Sequence, residues 1–229
     1  MSSRIPDDAR HEVKFIAYDS NVAELRNWVM AHRAAFYRPY PSRRINNVYF
    51  DTFTYEAYEG NISGESKRQK VRFRWYGEDR TPKPGTLEVK CRFNSLGWKL
   101  NYKVPELAYQ DGDTWRKIIR ELRSHLPEEG RLWLDANPQA VLLNSYRRDY
   151  FVSRNNLVRV TIDVDQRVWD QRLKPTPNTT REANMPKTTV VEVKCDRRDR
   201  QLASDYIQGI PLRVGRYSKY IVGTTALLP

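Results

Sequence analysis

Several segments of this chain alternate strictly between apolar and charged side chains, and this alternation most constrains the fold. The segment "KVRFRWY" at 70–76 places valine, phenylalanine and tryptophan on one side, and basic residues with a tyrosine on the other. A side-chain period of two predicts a β-strand. The same pattern occurs at 10–14, 88–92, 99–103, 159–165 and 192–194. The sequence therefore predicts a sheet with one apolar and one charged face.

The tripeptide Glu-Val-Lys recurs on this charged face, at 12–14, 88–90 and 192–194. Residues two apart in a strand point to the same side, so each glutamate lies beside a lysine and reduces repulsion among the cations. A carboxylate among phosphate-binding cations also suits a divalent ion that bridges it to phosphates. Glu12, Glu88 and Glu192 are therefore candidate ligands for Mn²⁺ or Mg²⁺, and plain salt bridging is the alternative for each.

The charge balance indicates a polyanionic partner. Lys and Arg number 40 against 28 Asp and Glu, which gives a net charge of +12. Nucleic acid, phosphate esters, polyphosphate and anionic lipid all remain open on composition alone. The two cysteines, Cys91 and Cys195, have no metal-ligand spacing with the three histidines, which excludes a zinc site and a disulfide framework. Both have the parity of the apolar residues, so we expect them to be small buried hydrophobes.

The organisation expected is a flexible N-terminus at 1–9 and a single domain at 10–229. No apolar run has the length of a signal peptide or a membrane span, so we expect a cytoplasmic protein. Strands are predicted from Arg10 and at 45–52, 70–76, 86–93, 98–104, 146–152, 157–164, 166–170 and 188–195. Helices are predicted from an N-cap at Ser20 to His32, at 113–126, around 138–144, at 199–208 and from Ser218, with a long loop at 172–187.

These elements predict an α+β fold, an antiparallel β tunnel barrel with a charged lumen and helices packed on the outside. Two cations about 6 Å apart at an effective dielectric of about 20 repel by about 3 kcal/mol. A lumen with many of them therefore calls for a bound polyanion. Arg72 and Arg74 suit bidentate contacts with phosphate. Point charges are expected from four lysines: Lys14, Lys90, Lys103 and Lys194.

Eight motifs in order carry a family resemblance: "RHEVKF", "VYFDT", "KVRFRWY", "LEVK", "YRRDYF", "VRVTIDVD", "VVEVK" and "RYSKY". The series resembles the catalytic domain of the vacuolar transporter chaperone (VTC) polyphosphate polymerases, which belong to the triphosphate tunnel metalloenzymes together with the CYTH phosphohydrolases. The resemblance covers nearly the whole chain and implies an antiparallel tunnel barrel. It also implies ATP and polyphosphate or triphosphate as substrates.

The resemblance assigns roles to matching positions. Phosphate-binding basic residues match Lys14, Arg72, Arg74, Lys90, Lys103, Arg148, Arg159 and Lys219. The metal-binding glutamate matches Glu192, and positions that assist phosphate binding match Tyr146 and Ser218. We expect Arg72, Arg74, Lys219 and Glu192 to be catalytic, and Arg10 and Lys194 to bind substrate too. The tandem Arg147 and Arg148 leaves a one-residue choice of register, and parity with Tyr146 selects Arg148.

The function expected is transfer of the ATP γ-phosphoryl group to a growing polyphosphate chain. CYTH hydrolases begin with Glu-x-Glu-x-Lys, whereas this chain has Arg10 at the first position. Activating water favours extra carboxylates, while a phosphate acceptor needs positioning and charge neutralisation, so Arg10 favours transfer. A tunnel triphosphatase and a non-catalytic polyphosphate- or nucleotide-binding module are the alternatives. Nucleic acid is not expected as a partner, and a membrane partner is left open.

Overall fold

The computed structural model describes residues 6, 9–18, 22–94 and 96–228. The strands are β1 His11–Tyr18, β2 Arg43–Asp51, β3 Lys67–Tyr76, β4 Gly85–Phe93, β5 Leu96–Val104, β6 Gln139–Val152, β7 Val158–Asp170, β8 Thr188–Cys195 and β9 Arg213–Val214. The α-helices are α1 Val22–Ala31, α2 Glu56–Ile62, α3 Trp115–Ser124, α4 Glu128–Asp135, α5 Arg200–Ile207 and α6 Lys219–Leu227. A 3₁₀ turn at Arg197–Asp199 leads into α5.

The strands form one antiparallel sheet in the order β5-β4-β3-β2-β6-β7-β8-β1-β9. Alternation decides which face each residue occupies, because period-two strands separate the two sets completely. Along β3, Val71, Phe73 and Trp75 are buried. The basic residues between them lie on the opposite face. The predicted antiparallel sheet with packed helices, an α+β architecture, is confirmed.

The sheet curls so that its charged face is concave. The carboxylate of Glu12 on β1 lies 3.3 Å from Lys90 Nζ on β4, although five strands separate β1 from β4 in the sheet order. Only a curled sheet brings these two side chains together. An isolated bridge, with Arg10 N 3.1 Å from Gly97 O, joins the two ends at one point. No further ladder connects β1 to β5 in the described ranges, so the sheet is not closed and the predicted barrel is not confirmed.

Helices cover the convex, apolar face in two places. The amphipathic α3, with Ile118 and Leu122 buried, and the neighbouring α4 pack over β3 and β4 against Val71 and Phe73. The helices α1 and α5 pack over the other end of the sheet, where Val160, Val191 and Val193 form the core with Phe15. Burial of these aliphatic and aromatic side chains provides the main stabilisation, at about 1.5–3 kcal/mol for each large apolar side chain.

A third contact region fixes α6 at one end of the charged face. The Tyr220 ring stacks on Tyr49 of β2 with centroids 5.1 Å apart. Its hydroxyl donates to the Asp51 carboxylate at 2.5 Å. Asp51 also accepts hydrogen bonds from the backbone N–H groups of Ala57 and Tyr58, at the start of α2. This one buried carboxylate therefore ties α2 and α6 to the end of β2.

The predicted helix at 138–144 is wrong, because this segment is the first half of β6. Its apolar run Ala140–Leu143 is buried on both sides: Ala140 and Leu143 face the α3 and α4 core, whereas Val141 and Leu142 pack with α6. A continuous apolar run lacks the alternation of a half-exposed strand, so it does not distinguish strand from helix. The strands predicted at 157–164 and 166–170 are one strand, β7.

Other predicted elements differ in detail. The helix expected at 113–126 corresponds to α3, and α2 and α4 were not predicted. The segment 172–187 contains no helix or strand, apart from one bridge between Glu182 and Trp169. The predicted N-cap at Ser20 and most of the predicted flexible segment 1–9 lie outside the described residues. Within the described part of the chain, no helix combines the length and apolarity needed to span a membrane.

Candidate functional site

Three neighbouring strands place a group of cations around Glu88. Arg72 on β3 lies opposite Glu88 on β4, with Nη2 2.5 Å and Nε 2.8 Å from the carboxylate. Arg74 and Lys99 approach the other oxygen, each at 3.3 Å. Burial alone would raise the pKa of Glu88, but the effect of these three cations is larger and holds the pKa well below its usual range. Glu88 is therefore a charged anchor for two arginines and a lysine.

Two Glu-Val-Lys segments form a second group of charges, where β1 and β8 pair. Lys14 lies opposite Glu192, and Glu12 lies opposite Lys194. The four side chains interlock: Lys14 Nζ is 3.1 Å from Glu12 and 3.4 Å from Glu192, and Lys194 Nζ is 2.6 Å from Glu192 and 3.4 Å from Glu12. Burial raises the pKa of both glutamates, but the lysines prevail and lower it well below the ordinary value.

A third group centres on the fully buried Asp163 of β7. Arg148 on β6 donates to both oxygens, at 2.5 and 2.7 Å, and Lys219 at the start of α6 donates at 2.5 Å. Arg148 also lies 3.5 Å from Glu192, which links this group to the second. Tyr146 links it to the first, because its hydroxyl accepts a hydrogen bond from Arg74 at 3.3 Å while Lys219 Nζ lies 4.5 Å from its ring centroid.

Lys70 differs from the other cations, because within the described residues it has no acidic partner. Its ammonium donates to Asn61 at 2.9 Å and to the Ser218 hydroxyl at 2.7 Å. Ser218 is also the N-cap of α6 and accepts from the Ile221 N–H. Burial lowers the pKa of Lys70 well below its usual range, and the neighbouring Lys90 and Lys14 lower it further. This partly buried cation therefore lacks, among the described residues, the acidic partner that the cations of the three groups have.

We call these side chains together the basic cluster. Among the described residues it contains nine cations and four carboxylates: Lys14, Lys70, Arg72, Arg74, Lys90, Lys99, Arg148, Lys194 and Lys219, with Glu12, Glu88, Asp163 and Glu192. Many of these groups are buried, including Arg74 at 7 % and Glu192 at 5 % exposure. The face therefore holds a large excess of positive charge in a partly desolvated setting.

Most predicted site residues converge on this cluster. They are Glu12, Lys14, Arg72, Arg74, Glu88, Lys90, Tyr146, Arg148, Glu192, Lys194, Ser218 and Lys219. The choice of Arg148 over Arg147 agrees with the structure, since Arg147 is exposed and pairs with Glu78 at 2.9 Å. The two-residue spacing from Tyr146 predicted this correctly, because the side chains of Tyr146 and Arg148 both lie on the concave face.

Three predicted residues lie outside the cluster. Arg10 pairs with the exposed Asp196 at 3.4 Å. Lys103 and Arg159 are exposed, and neither has an ion-pair partner within the described ranges, although Arg159 lies opposite Lys194 in the sheet. Conversely, Lys70, Lys99 and Asp163 were not predicted as site residues. All three alternate with apolar residues along predicted strands, and this pattern could have identified them as residues of the charged face.

The divalent ion that the sequence resemblance implies would need oxygen ligands from the basic cluster. No group of three or more acidic, histidine or cysteine side chains in the described part of the chain could hold a metal ion by itself. Glu12 and Glu192, however, share Lys14 and Lys194 and so lie close together. Magnesium-type ions are commonly held by one or two carboxylates plus substrate phosphates. The paired Glu12 and Glu192 therefore fit an ion that binds together with phosphate. The ion-pair contacts of Glu88 are with Arg72, Arg74 and Lys99, and they do not bring a second carboxylate beside it.

Comparison with known proteins identifies the family. The family model described as VTC domain matches residues 9–228. The chain belongs to the VTC domain family. No curated protein shows significant sequence similarity to this VTC domain.

Solved structures are also similar to this VTC domain, at low sequence identity. One is described as "a putative adenylate cyclase" from Vibrio parahaemolyticus, with a TM-score of 0.50 and 11 % identity over 93 % of this chain and 98 % of that one. Another, the PH1819 protein from Pyrococcus horikoshii OT3, has a TM-score of 0.44 and 11 % identity over 93 % and 97 % of the two chains. At this identity the first likeness concerns the fold alone.

Proposed function

We propose that this VTC domain is a metal-dependent phosphotransferase that acts on ATP and polyphosphate, and that it transfers the γ-phosphoryl group of ATP to a growing polyphosphate chain. The observation that carries the proposal is the uncompensated charge of the basic cluster, above all Lys70, which is surrounded by cations and has no carboxylate of its own among the described residues. A bound chain of phosphates would supply the missing negative charge. Membership of the VTC domain family supports the same reading.

The types and placement of the cations suit a linear polyanion. Arg72, Arg74 and Arg148 offer planar forks that match phosphate oxygens, and the lysines provide point charges between them. The curled sheet arranges these groups along a concave surface, not as one isolated pocket. We further propose that the sheet closes around a bound chain as a tunnel, with the contact between Arg10 and Gly97 as its seam.

The site suits transfer to phosphate better than transfer to water. Burial raises the pKa values of the cluster's four carboxylates, but the neighbouring cations outweigh burial and lower them. These carboxylates are therefore weak bases for activating a water molecule. An anionic phosphate acceptor needs no base. It needs positioning and relief of charge repulsion, which fixed cations provide.

Roles follow from position. Arg72, Arg74 and Lys70 would hold the phosphates. Arg148 and Lys219 would stabilise the charge that develops on the transferred phosphoryl group. Asp163 accepts hydrogen bonds from Arg148 and Lys219 and would hold these two side chains in position. A divalent ion held by Glu192 and Glu12 would neutralise charge on phosphate oxygens. The N-terminus of α6 lies at the same place, with Ser218 as its cap, and its partial positive charge adds to the attraction.

The test is incubation of purified protein with ATP and Mn²⁺, with products separated on a gel and free phosphate measured. We expect a ladder of polyphosphate chains from the wild type, and none from Arg74→Ala or Glu192→Gln. Arg147→Ala is the matched control, because it removes an adjacent arginine on the outer surface and should retain activity. Phosphate release without chains would instead identify a triphosphatase. Thermal stabilisation by tripolyphosphate without turnover would identify a binding module.

A further inference from the structure

Three tyrosines surround Arg43 at the end of the charged face where β2 begins. The Arg43 guanidinium lies 4.8 Å from the ring centroid of Tyr40, 5.8 Å from that of Tyr76 and 6.0 Å from that of Tyr150. The rings of Tyr40 and Tyr150 meet edge to face at 5.9 Å. We call these four residues the aromatic group. It lies next to the basic cluster but is not part of it.

The aromatic group continues the same face as the basic cluster. Tyr76 follows Arg74 by two residues on β3, and Tyr150 follows Arg148 by two on β6, so each tyrosine shares the face of the arginine before it. That spacing places the rings about 7 Å further along the strands. Arg43 lies directly opposite Arg148 in the pairing of β2 with β6. The aromatic group therefore begins where the phosphate-binding arginines end.

The aromatic group is open to solvent. Tyr40 is 53 % and Tyr76 is 51 % exposed. Arg43 is exposed too, and within the described residues it has no carboxylate partner, only aromatic ones. Exposed tyrosines beside a guanidinium favour a flat, electron-rich ring as a ligand, because such a ring stacks on both.

We propose that the aromatic group binds the nucleobase of a nucleoside triphosphate whose phosphates lie on the basic cluster. The inference rests on the proposed function and deepens it, because it makes a nucleotide the preferred donor over inorganic polyphosphate. No side-chain amide belongs to the group, so binding is by stacking and tolerates different bases. The ribose spans the step from Arg74 and Arg148 to the tyrosine rings.

The experiment compares two ligands that share a triphosphate, one with a nucleoside and one without. Affinities of the full chain for ATP and for inorganic tripolyphosphate are measured by calorimetry, for the wild type and for Tyr76→Leu, Tyr150→Leu and the double variant. We expect the double variant to lose about tenfold in ATP affinity, as for loss of one stacking contact, and to bind tripolyphosphate as the wild type does. Tyr76→Phe and Tyr150→Phe keep the ring and should keep ATP affinity. Phe53→Ala is the control for loss of an exposed aromatic side chain, at the opposite end of β2.

The outcomes separate this inference from the function on which it rests. If neither ligand binds the wild type, the proposed function fails. If both bind and the leucine variants leave ATP affinity unchanged, the nucleobase site is wrong while the phosphate site stands. Equal losses for ATP and tripolyphosphate also overturn it, since they would show that the tyrosines only support the phosphate-binding arginines.

Discussion

Arg148 on β6 and Asp163 on β7 lie directly opposite each other and form two hydrogen bonds, at 2.5 and 2.7 Å. Asp163 is fully buried and also holds Lys219 of α6. One carboxylate thus pairs with two cations from different elements. Removing its charge would leave the buried Lys219 without an ion-pair partner in the described residues, and Arg148 with Glu192 alone, at 3.5 Å. Breaking a buried ion pair in this way is among the costliest changes a protein interior can undergo.

Asp163→Asn is therefore expected to lower the free energy of unfolding by about 3–5 kcal/mol. Urea denaturation followed by circular dichroism measures it. Asp196→Asn is the matched control, because Asp196 also pairs with an arginine but is about half exposed, and we expect it to cost less than about 1 kcal/mol. Similar losses in the two variants would show that Asp163 does not stabilise the fold through its buried ion pairs. Addition of tripolyphosphate should recover part of the loss, by supplying anions to the same cations.

Lys70→Met is expected to stabilise the ligand-free protein. Lys70 carries a charge among other cations with no acidic partner in the described residues, so an apolar side chain of similar length removes repulsion and desolvation. The gain should be on the order of 1 kcal/mol near neutral pH. Affinity for tripolyphosphate should fall about tenfold, as for loss of one charge-assisted hydrogen bond. A less stable variant with unchanged affinity would contradict both points.

The stability gained by Lys70→Met is expected to depend on pH. The folded-state pKa of Lys70 is depressed, so the unfolded chain binds more protons than the folded one between that value and about 10.4. The penalty of charged Lys70 is full below the depressed pKa and disappears as the pH rises through this window. The stability advantage of Lys70→Met should therefore shrink as the pH approaches 10.4. A constant advantage would show that packing, not charge, is its origin.

The alternating strands could be read from the sequence because one face is buried and the other polar. Arg72, Arg74 and Lys90 follow directly from that parity. The start of β6 could not be predicted as a strand, because Ala140–Leu143 is buried on both faces and its side chains do not alternate between apolar and polar. Side-chain alternation also could not predict that Arg10, Lys103 and Arg159 lie outside the basic cluster. A residue on the charged face near an end of its strand can lie outside the network, and only the curl of the sheet decides this.

Both cysteines are expected to be inert in the folded protein. Cys91 is 8 % and Cys195 is 5 % exposed, and burial raises the pKa of the Cys91 thiol to about 11. The thiolate is the reactive form, so little of Cys91 is reactive near pH 8. Labelling with a thiol reagent should modify neither residue in the native protein and both in urea, as measured by intact mass. Rapid native labelling of either one would place it outside the packed convex face.

Glu88→Gln is expected to raise affinity for tripolyphosphate while lowering stability. Glu88 holds Arg72, Arg74 and Lys99, and a phosphate chain must compete with it for the same hydrogen bonds. Without that competitor, the three cations can turn fully to the ligand, and we expect affinity to increase about tenfold at low salt in the absence of divalent ions. The free energy of unfolding should fall by about 3–5 kcal/mol, because the largely buried Arg72 and Arg74 lose their anion.

Calorimetry at two salt concentrations and urea denaturation measure the two effects of Glu88→Gln. Glu78→Gln provides the control, since Glu78 bridges Arg44 and Arg147 on the exposed side of the same sheet. It should change neither affinity nor stability appreciably. If Glu88→Gln instead weakened tripolyphosphate binding in a folded protein, the glutamate would have to orient the arginines for phosphate. Its role would then be to position Arg72 and Arg74, and the basic cluster would depend on its internal ion pairs to bind at all.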